Sequence, residues 1–212
     1  MQYLTKTSWF PNPQNANNDG LLAIGGDLSE ERLLLAYRSG IFPWYEEGQP
    51  IMWWSPDPRM VLFPSKFIVS KSLQKTINSG RYTVTFNTNF SEVIDNCSKI
   101  KRNDQVGTWI TYEMQDAYIQ LHNNGYAESV EVWLNDELVG GLYGINLVEQ
   151  KVFCGESMFS KISDASKVGF YFLAEKMKAK KYKLIDCQMY TTHLRSLGAV
   201  EIPRKEFLKY LD

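Results

Sequence analysis

Apolar residues follow two different periodic patterns in the chain beyond residue 60. Between residues 129 and 134 apolar and polar side chains alternate, which predicts a β-strand, and residues 137–145 predict its partner. Asn135 and Asp136 between them are typical of a turn. Residues 164–180 instead place apolar side chains on one helical face. This part of the chain therefore alternates between strands and helices.

Further elements follow the same patterns. They are strands over residues 82–86, 151–155 and 183–187, and a helix between Thr111 and Gly125. Gly140 and Gly141 in the hairpin indicate a bulge or a close backbone approach. The order of helix, three meandering strands, helix and strand predicts an α+β or mixed α/β fold.

The N-terminal residues have a different character. Six of the eight prolines and four of the six tryptophans precede residue 60. A helix is predicted to begin after Ser29 and to end at Gly40. We therefore expect residues 1–60 to form a small aromatic and proline-rich module that packs on a domain of residues 61–212.

Composition narrows the class of protein. The 212 residues are 44% hydrophobic, with a net charge of −1 and a pI near 6.2, so nucleic acid can be bound only by a local basic patch. The widely spaced thiols Cys97, Cys154 and Cys187 and the isolated His122 and His193 form no metal-ligand pattern. Thiols of this kind are expected in a reducing cytoplasm.

The sequence predicts no targeting or membrane segment. The first residues, MQYLTKTSWFP, lack the long apolar core of a signal peptide. Nothing approaches an uninterrupted run of about 18 apolar residues. We therefore expect a cytoplasmic protein that does not enter a membrane.

Two carboxylates stand inside otherwise apolar runs. Glu156 lies in GESMFS at 155–160, and Asp186 lies in LIDCQ at 184–188. A carboxylate in such a run is unfavourable to bury without a partner. The pair indicates either a polar site in an apolar pocket or two acids on strand edges that face water.

Eleven short motifs occur in a fixed order. They are FPNP at 10–13, GLLAIGGDLS at 20–29, GIFPWY at 40–45, WWSPDPR at 53–59, TWI at 108–110, SVEVW at 129–133, LVGGLYG at 138–144, GESMFS at 155–160, ASK at 165–167, LIDCQ at 184–188 and SLGA at 196–199. As an ordered set covering nearly the whole chain, they closely resemble the leucyl/phenylalanyl-tRNA–protein transferases, a family of bacterial enzymes.

The resemblance implies an activity and partners. The family transfers Leu or Phe from aminoacyl-tRNA to an N-terminal Lys or Arg of an acceptor protein, which marks that protein for degradation. It packs an N-terminal module on a domain like that of the GNAT acetyltransferases, without acetyl-CoA. The resemblance therefore implies no cofactor and no metal, and we expect a monomer.

The resemblance also assigns roles to the polar residues. Asp186 and Gln188 match the positions that carry catalysis, and Glu156 matches a site position where a carboxylate suits the cationic acceptor. Asp186 and Gln188 are two apart on a strand, so both side chains are expected on one face. Gln188 would orient the incoming amine and Asp186 would hold that arrangement. Cys187 is expected on the opposite face, in the core, and the alternative for Glu156 is a structural ion pair.

The donor side chain requires an apolar pocket. Met158 is a candidate because methionine adapts to both Leu and Phe. The other candidates are Leu142, Phe153, Phe170, Leu173 and Ile185. Of these, Met158, Leu142, Phe170 and Leu173 match pocket positions in the family, and for each residue alone a place in the core is the alternative.

The single-stranded end of tRNA is bound by aromatic stacking and nearby cations. Trp44 and Trp109 match positions near the terminal adenosine in the family, whereas Trp53 and Trp54 are expected to pack between domains. Lys71 and Lys75 are the main candidates for phosphate contacts. The further candidates are Lys66, Lys99, Lys101 and Arg102, and each lysine can equally be a solvated surface charge.

Two other functions fit the same fold. An acyl-CoA-dependent N-acetyltransferase would need a glycine-rich phosphate loop before a helix, but residues 160–167 contain no glycine. A non-catalytic RNA-binding module would not need Asp186 and Gln188 paired on one strand.

Overall fold

The computed structural model describes residues 2–100 and 108–212, which form two β-sheets and seven α-helices. The N-terminal elements are β1 (Gln2–Leu4), β2 (Leu21–Gly25), α1 (Glu30–Arg38), β3 (Phe42–Pro43) and β4 (Met52–Trp54). Their four strands form a small sheet in the order β1-β2-β4-β3. Helix α1 begins after Ser29 as predicted. It is followed by Gly40, whose φ of +74° is a conformation that glycine adopts without strain.

The larger sheet contains seven strands. They are β5 (Arg59–Leu62), β6 (Thr83–Phe86), β7 (Ala127–Leu134), β8 (Glu137–Leu147), β9 (Val152–Ser160), β10 (Leu184–Gln188) and β11 (Val200–Ile202). The accompanying helices are α2 (Lys71–Asn78), α3 (Phe90–Lys99), α4 (Tyr112–Asn123), α5 (Ala165–Ala179), α6 (Thr192–Ser196) and α7 (Arg204–Leu208). The strand order is β11-β5-β10-β9-β8-β7-β6, and the predicted mixed α/β fold is confirmed.

Alternate residues of the central strands face opposite sides of this sheet. On β8, Leu142 packs into the core beneath α5, whereas Tyr143 packs into the core formed with α3 and α4. On β10, Ile185 and Leu184 divide in the same way. Because side chains alternate along a strand, one buried sheet forms two cores.

The predicted β7–β8 hairpin is confirmed. Asn135 and Asp136 both have positive φ values, of 50° and 64°, which suits the tight turn of a twisted hairpin. The close approach predicted at Gly140 is also present, because a Cβ there would lie 2.7 Å from the Ala165 Cβ at the start of α5. A bulge is present beside Gly140 as well, because Val132 pairs with Gly140 whereas Trp133 pairs with Leu138, and a second register shift lies at Tyr143/Gly144.

The N-terminal residues share a core with the rest of the chain. Leu33 and Trp53 belong to the same buried cluster as Val93 and Tyr143. A boundary at residue 60 would fall inside β5, which pairs with β10 and β11. The division into residues 1–60 and 61–212 stays a prediction.

Candidate functional site

The site lies where two parallel strands separate. β9 and β10 are parallel, whereas the other neighbouring strands of the larger sheet are antiparallel over the described residues. They pair only where residues 184–186 meet residues 152–154. Beyond that point β9 continues to Ser160 without β10 beside it. In open parallel sheets, a crevice at the carboxyl ends of two separating strands is a common place for a ligand, and this parallel pair has the same local geometry.

A cavity of about 480 Å³ opens at this point. Its apolar wall includes Leu142, Met158, Phe170, Leu173, Ile185 and Leu194. The N-terminal residues Phe42, Pro43 and Trp44 line it too. A small set of polar side chains, among them Glu156, Gln188 and His193, faces the same space. A mostly apolar cavity with a few converging polar groups is the usual form of a small-ligand site.

Glu156 is the centre of the polar groups. Its carboxylate accepts hydrogen bonds from the Tyr118 hydroxyl at 3.0 Å and from Gln188 Nε2 at 2.7 Å. Burial raises the pKa of the Glu156 carboxyl from its ordinary value to about 7. The tyrosine and Gln188 hydrogen bonds act against this rise in pKa, and the charge of Asp186 adds to it. Glu156 is therefore a carboxyl group that changes charge near neutral pH.

Asp186 has a different environment. Its two oxygens accept hydrogen bonds from Arg59 Nε at 2.8 Å and from Arg59 Nη2 at 2.7 Å, and both side chains are 1% exposed. The guanidinium lies 4.8 Å and 4.6 Å from the ring centres of Phe42 and Phe207. Asp186 is not among the residues that line the cavity. This carboxylate is therefore half of a buried ion pair and reaches the cavity only through its neighbours.

The expectation that Asp186 and Gln188 share one strand face is wrong. Gln188 has a φ of +63°, and the pairing register with β5 shifts between the two residues. Asp186 points to Arg59, and its Oδ1 also accepts the Gln188 backbone N–H at 3.0 Å. The Gln188 side chain turns to Glu156 and the cavity. Regular alternation fails here because the strand ends in a left-handed residue.

Both carboxylates are at least partly shielded from water. The reading of both as water-facing edge acids is wrong, because Asp186 is buried and Glu156 is half-buried in the cavity wall. Cys187 packs against the core as predicted, but it also lines the cavity, which corrects its placement away from the site. Burial raises the pKa of its thiol, so the reactive thiolate form is disfavoured.

Five of the six apolar candidates line the cavity, and one does not. Met158, Leu142, Phe170, Leu173 and Ile185 all line the cavity. Phe153 does not, and its placement in the pocket is a wrong prediction. Its fully buried ring packs against the backbone at Gly144, where a Cβ would lie 2.6 Å from Phe153 Cε1.

The four tryptophan candidates also fall into two groups, one that lines the cavity and one that does not. Trp44 and Trp109 line the cavity. Trp53 is fully buried in the core, and Trp54 donates from Nε1 to the Trp44 carbonyl at 2.7 Å. Trp53 and Trp54 are therefore packing residues, and Trp54 supports the backbone that carries Trp44.

The basic candidates lie outside the cavity wall. Lys71 and Lys75 are exposed on α2, whose Leu73 packs in the same core as Phe170 and Leu173. Lys66 is exposed, and Lys99 forms an ion pair with Asp95 at 2.6 Å. Lys101 and Arg102 lie outside the described residues.

Sequence reasoning missed several residues of the site. Tyr37, Tyr118 and Arg59 contact the two carboxylates, directly or through one another, and His193 lines the cavity. The weak signal for Arg59 was its place in the motif WWSPDPR, and the two tyrosines gave none beyond apolar helical periodicity.

The described residues offer no metal site and no membrane helix. Within residues 2–100 and 108–212, no three histidine, cysteine, aspartate or glutamate side chains are grouped so that they could hold a metal ion. In the same ranges, no helix has the length and apolar character that crossing a membrane requires.

A mixed α/β fold with a mostly apolar cavity and converging polar groups, placed where two parallel strands separate, defines a small-ligand site. Comparison with known proteins makes this specific. The family model described as leucyl/phenylalanyl-tRNA protein transferase matches residues 61–212, and a model of that family's N-terminal domain matches residues 26–57. The chain belongs to the leucyl/phenylalanyl-tRNA–protein transferase family and is an aminoacyltransferase.

Relatives of that name are similar over the full length. Identity is 59% with the protein of Flavobacterium psychrophilum and 58% with that of Flavobacterium johnsoniae, in each case over 100% of this chain and 99% of the relative. Identity is 55% with the protein of Christiangramia forsetii, over 100% of both chains.

Solved structures overlap less. L-PGS from Bacillus licheniformis has a TM-score of 0.44 at 12% identity, covering 82% of this chain and 57% of that chain. A ribosomal-protein-alanine N-acetyltransferase from Brucella melitensis has a TM-score of 0.38 at 13% identity, covering 54% and 84%.

Proposed function

We propose that this aminoacyltransferase moves leucine or phenylalanine from the 3′ end of an aminoacyl-tRNA to the α-amino group of an N-terminal lysine or arginine, which marks the acceptor protein for degradation. The observation that carries the proposal is the Glu156–Gln188 hydrogen bond in the wall of a largely apolar cavity, in a chain of this family. The cavity suits an apolar donor side chain, and the carboxyl suits a cationic acceptor.

The reaction asks little covalent chemistry of the protein. The neutral acceptor nitrogen attacks the carbonyl carbon of the donor ester, so a C–N bond forms and the bond to the ribose oxygen breaks. One proton passes from the nitrogen to the departing oxygen. Because the ester is already activated, the protein contributes by aligning the two reactants and by stabilising the charge that develops.

The polar residues take separate parts in this step. Gln188 faces the cavity and orients the incoming amine. Asp186 is a positioning residue, since it acts through the Gln188 backbone N–H and does not line the cavity. Glu156, when ionised, receives the positive charge of the acceptor. The ionised fraction of Glu156 near neutral pH therefore sets how well the acceptor binds.

The apolar wall receives the donor side chain. Leu142, Met158 and Phe170 line the cavity together with Leu173 and Ile185. Methionine fills irregular space, which suits a pocket that must take both leucine and phenylalanine. An apolar pocket discriminates by only about 1–3 kcal/mol per methylene, so both donors can be accepted.

The aromatic residues of the cavity receive the tRNA end. Trp44 and Trp109 offer faces on which the terminal adenosine stacks. In the part of the chain that the structure describes, the Lys71 and Lys75 side chains on α2 form no ion pair, so their charges are available to phosphates.

The acetyl-CoA alternative is disfavoured by the start of α5. Asp164 occupies the N-cap position, where it pairs with Lys167 at 3.0 Å and accepts from Thr76 at 3.3 Å. A carboxylate at a helix N-terminus repels the pyrophosphate that an acyl-CoA would bring there. A thermal-shift titration with acetyl-CoA separates the two functions, and we expect no shift.

The decisive experiment incubates the protein with labelled Leu-tRNA and a peptide that begins with arginine. The controls are the same peptide N-acetylated and the same peptide beginning with alanine. Label is expected in the arginine peptide alone. The RNA-binding alternative predicts tRNA binding without any labelled peptide, and that result would refute the proposed function.

A further inference from the structure

A chain of buried hydroxyl groups leads from the N-terminal residues to Glu156. Tyr37 on α1 is 1% exposed and Tyr118 on α4 is fully buried. Their hydroxyls are hydrogen-bonded to each other, and the two rings pack edge to face with centres 6.5 Å apart. The Tyr118 hydroxyl in turn lies 3.0 Å from Glu156 Oε2. The second oxygen of Glu156 accepts from Gln188.

The order of donors along this chain follows from the chemistry of its end. An ionised carboxylate can only accept, so Tyr118 donates its single proton to Glu156. Tyr118 can then only accept from Tyr37, which must donate. Each hydroxyl therefore points toward Glu156, and the two bonds strengthen each other in a buried setting.

We propose that Tyr37 and Tyr118 are positioning residues that hold the Glu156 carboxylate against Gln188 and toward the cavity, so that helix α1 is part of the catalytic centre. This inference rests on the proposed function for its effect on turnover. The expected effect of the tyrosines on the ionisation of the Glu156 carboxyl does not depend on the proposed function.

Among the ionisable groups around Glu156, the carboxyl itself is the group whose protonation is expected to change in the tyrosine variants. The titratable or charged groups packed around it are Tyr37 from α1, Tyr118 from α4, Tyr143 from β8, Cys154 from β9 and Asp186 from β10, and Asp186 is paired with Arg59 from β5. Burial raises the pKa values of both site tyrosines and of Cys154, so these groups stay protonated near neutral pH. His193 lines the same cavity, and burial and Lys167 lower its pKa.

Loss of either tyrosine hydroxyl is expected to favour the neutral form of Glu156. A hydroxyl that donates to a carboxylate stabilises the ionised form, so its removal raises the carboxyl pKa. Transfer should then be slower at neutral pH and recover at higher pH. A tyrosine that only fills space would lower activity equally at every pH, because packing does not depend on the charge of Glu156.

The test compares Tyr118→Phe and Tyr37→Phe with Tyr182→Phe as a matched control. Tyr182 is also buried, and its hydroxyl donates to Asn146 at 2.6 Å, away from the cavity wall. The first readout is kcat/KM for the arginine peptide between pH 6 and 9. The second is the Glu156 carboxyl titration itself, followed by infrared spectroscopy of protein labelled with ¹³C-glutamate, with Glu156→Gln as the subtraction.

The expected results differ by variant. Tyr118→Phe should raise the carboxyl pKa by about one unit, which lowers the ionised fraction and kcat/KM about fivefold at pH 7 and less than about twofold at pH 9. Tyr37→Phe should shift both in the same direction by less, because Tyr118 still donates. Tyr182→Phe should shift neither.

The outcomes that overturn the proposal are distinct from those that overturn the function. A carboxyl titration that is unchanged in both variants refutes the role of the tyrosines, whatever happens to activity. If Tyr118→Phe does not fold, Tyr37→Phe decides the question by the same titration. A wild-type protein that transfers nothing refutes the proposed function, and the titration still tests the tyrosine pair.

Discussion

The two carboxylates that flank Gln188 are of similar chemistry but sit in opposite environments. Asp186 has a full counter-charge, since the Arg59 guanidinium holds both of its oxygens in a buried pair. Glu156 has hydrogen-bond donors but no cation paired with it within residues 2–100 and 108–212, and burial raises its pKa to about 7. The difference shows how one fold makes one acid a fixed structural charge and leaves the other able to change charge beside a substrate.

The largest change in stability is expected when Asp186 loses its partner Arg59. Arg59→Met leaves a buried carboxylate unpaired, which is expected to lower the free energy of unfolding by about 3–5 kcal/mol. Urea unfolding measures the loss. Arg38→Met is the matched control, because Arg38 is exposed in the last turn of α1 and should change stability by less than about 0.5 kcal/mol. Equal stability of the two variants would show that the ion pair does not support the fold.

Gln188 is the residue that both carboxylates hold, one by its backbone and one by its side chain. Gln188→Ala removes only the side-chain contact, and we expect kcat to fall about 100-fold through loss of alignment. KM for aminoacyl-tRNA should change little, since the stacking residues remain. Gln74→Ala, an exposed change on α2, is the control. A near-normal kcat in Gln188→Ala would remove Gln188 from the mechanism.

The pH dependence of the free energy of unfolding tests the difference between Glu156 and Asp186 in another way. The pKa of Glu156 is higher in the folded protein, so the folded state binds more protons than the unfolded state between about pH 4.5 and pH 7. Its contribution to stability is therefore present at low pH and is lost as the pH rises through about 7. Glu156→Gln should lack this decline, and the two unfolding curves should diverge by about 1–3 kcal/mol across that range. Parallel curves would mean that Glu156 titrates normally.

The smallest effect is expected far from both carboxylates. Reversing the charges of Lys71 and Lys75 to Glu should leave kcat unchanged and weaken tRNA binding. Loss of two phosphate contacts should flatten the slope of log affinity against log salt by about 1.4 to 1.8. Titrations at several salt concentrations test this, and an unchanged slope would place the tRNA phosphates elsewhere.

Local patterns were sufficient for much of the fold. The β7–β8 hairpin could be predicted because its turn residues and its alternation are both contained in neighbouring residues. The short strands β1 to β4 could not, because segments of two to five residues show no usable period. Their pairing depends on partners elsewhere in the chain.

The site was predictable only in part for the same reason. Glu156 and Gln188 stand out as polar residues in apolar runs, and they do meet in the cavity wall. Arg59 is 127 residues from Asp186 in sequence, and Tyr37 is 81 residues from Tyr118. No local sequence pattern therefore predicts either contact. The left-handed backbone at residue 188 likewise accompanies a long-range contact, because the Gln188 side chain donates to Glu156, 32 residues away in sequence.

The packing of α7 has a consequence for the order in which the protein matures during synthesis. The Phe207 ring covers the Arg59 guanidinium, and the Arg204 backbone N–H bonds to Asp57 at 2.9 Å. A ribosome makes residues 57–59 early and residues 204–207 late. Until the late segment emerges, water has access to the guanidinium face that Phe207 later covers. Translation therefore completes the buried setting of the Arg59 guanidinium only after residues 204–207 have been made.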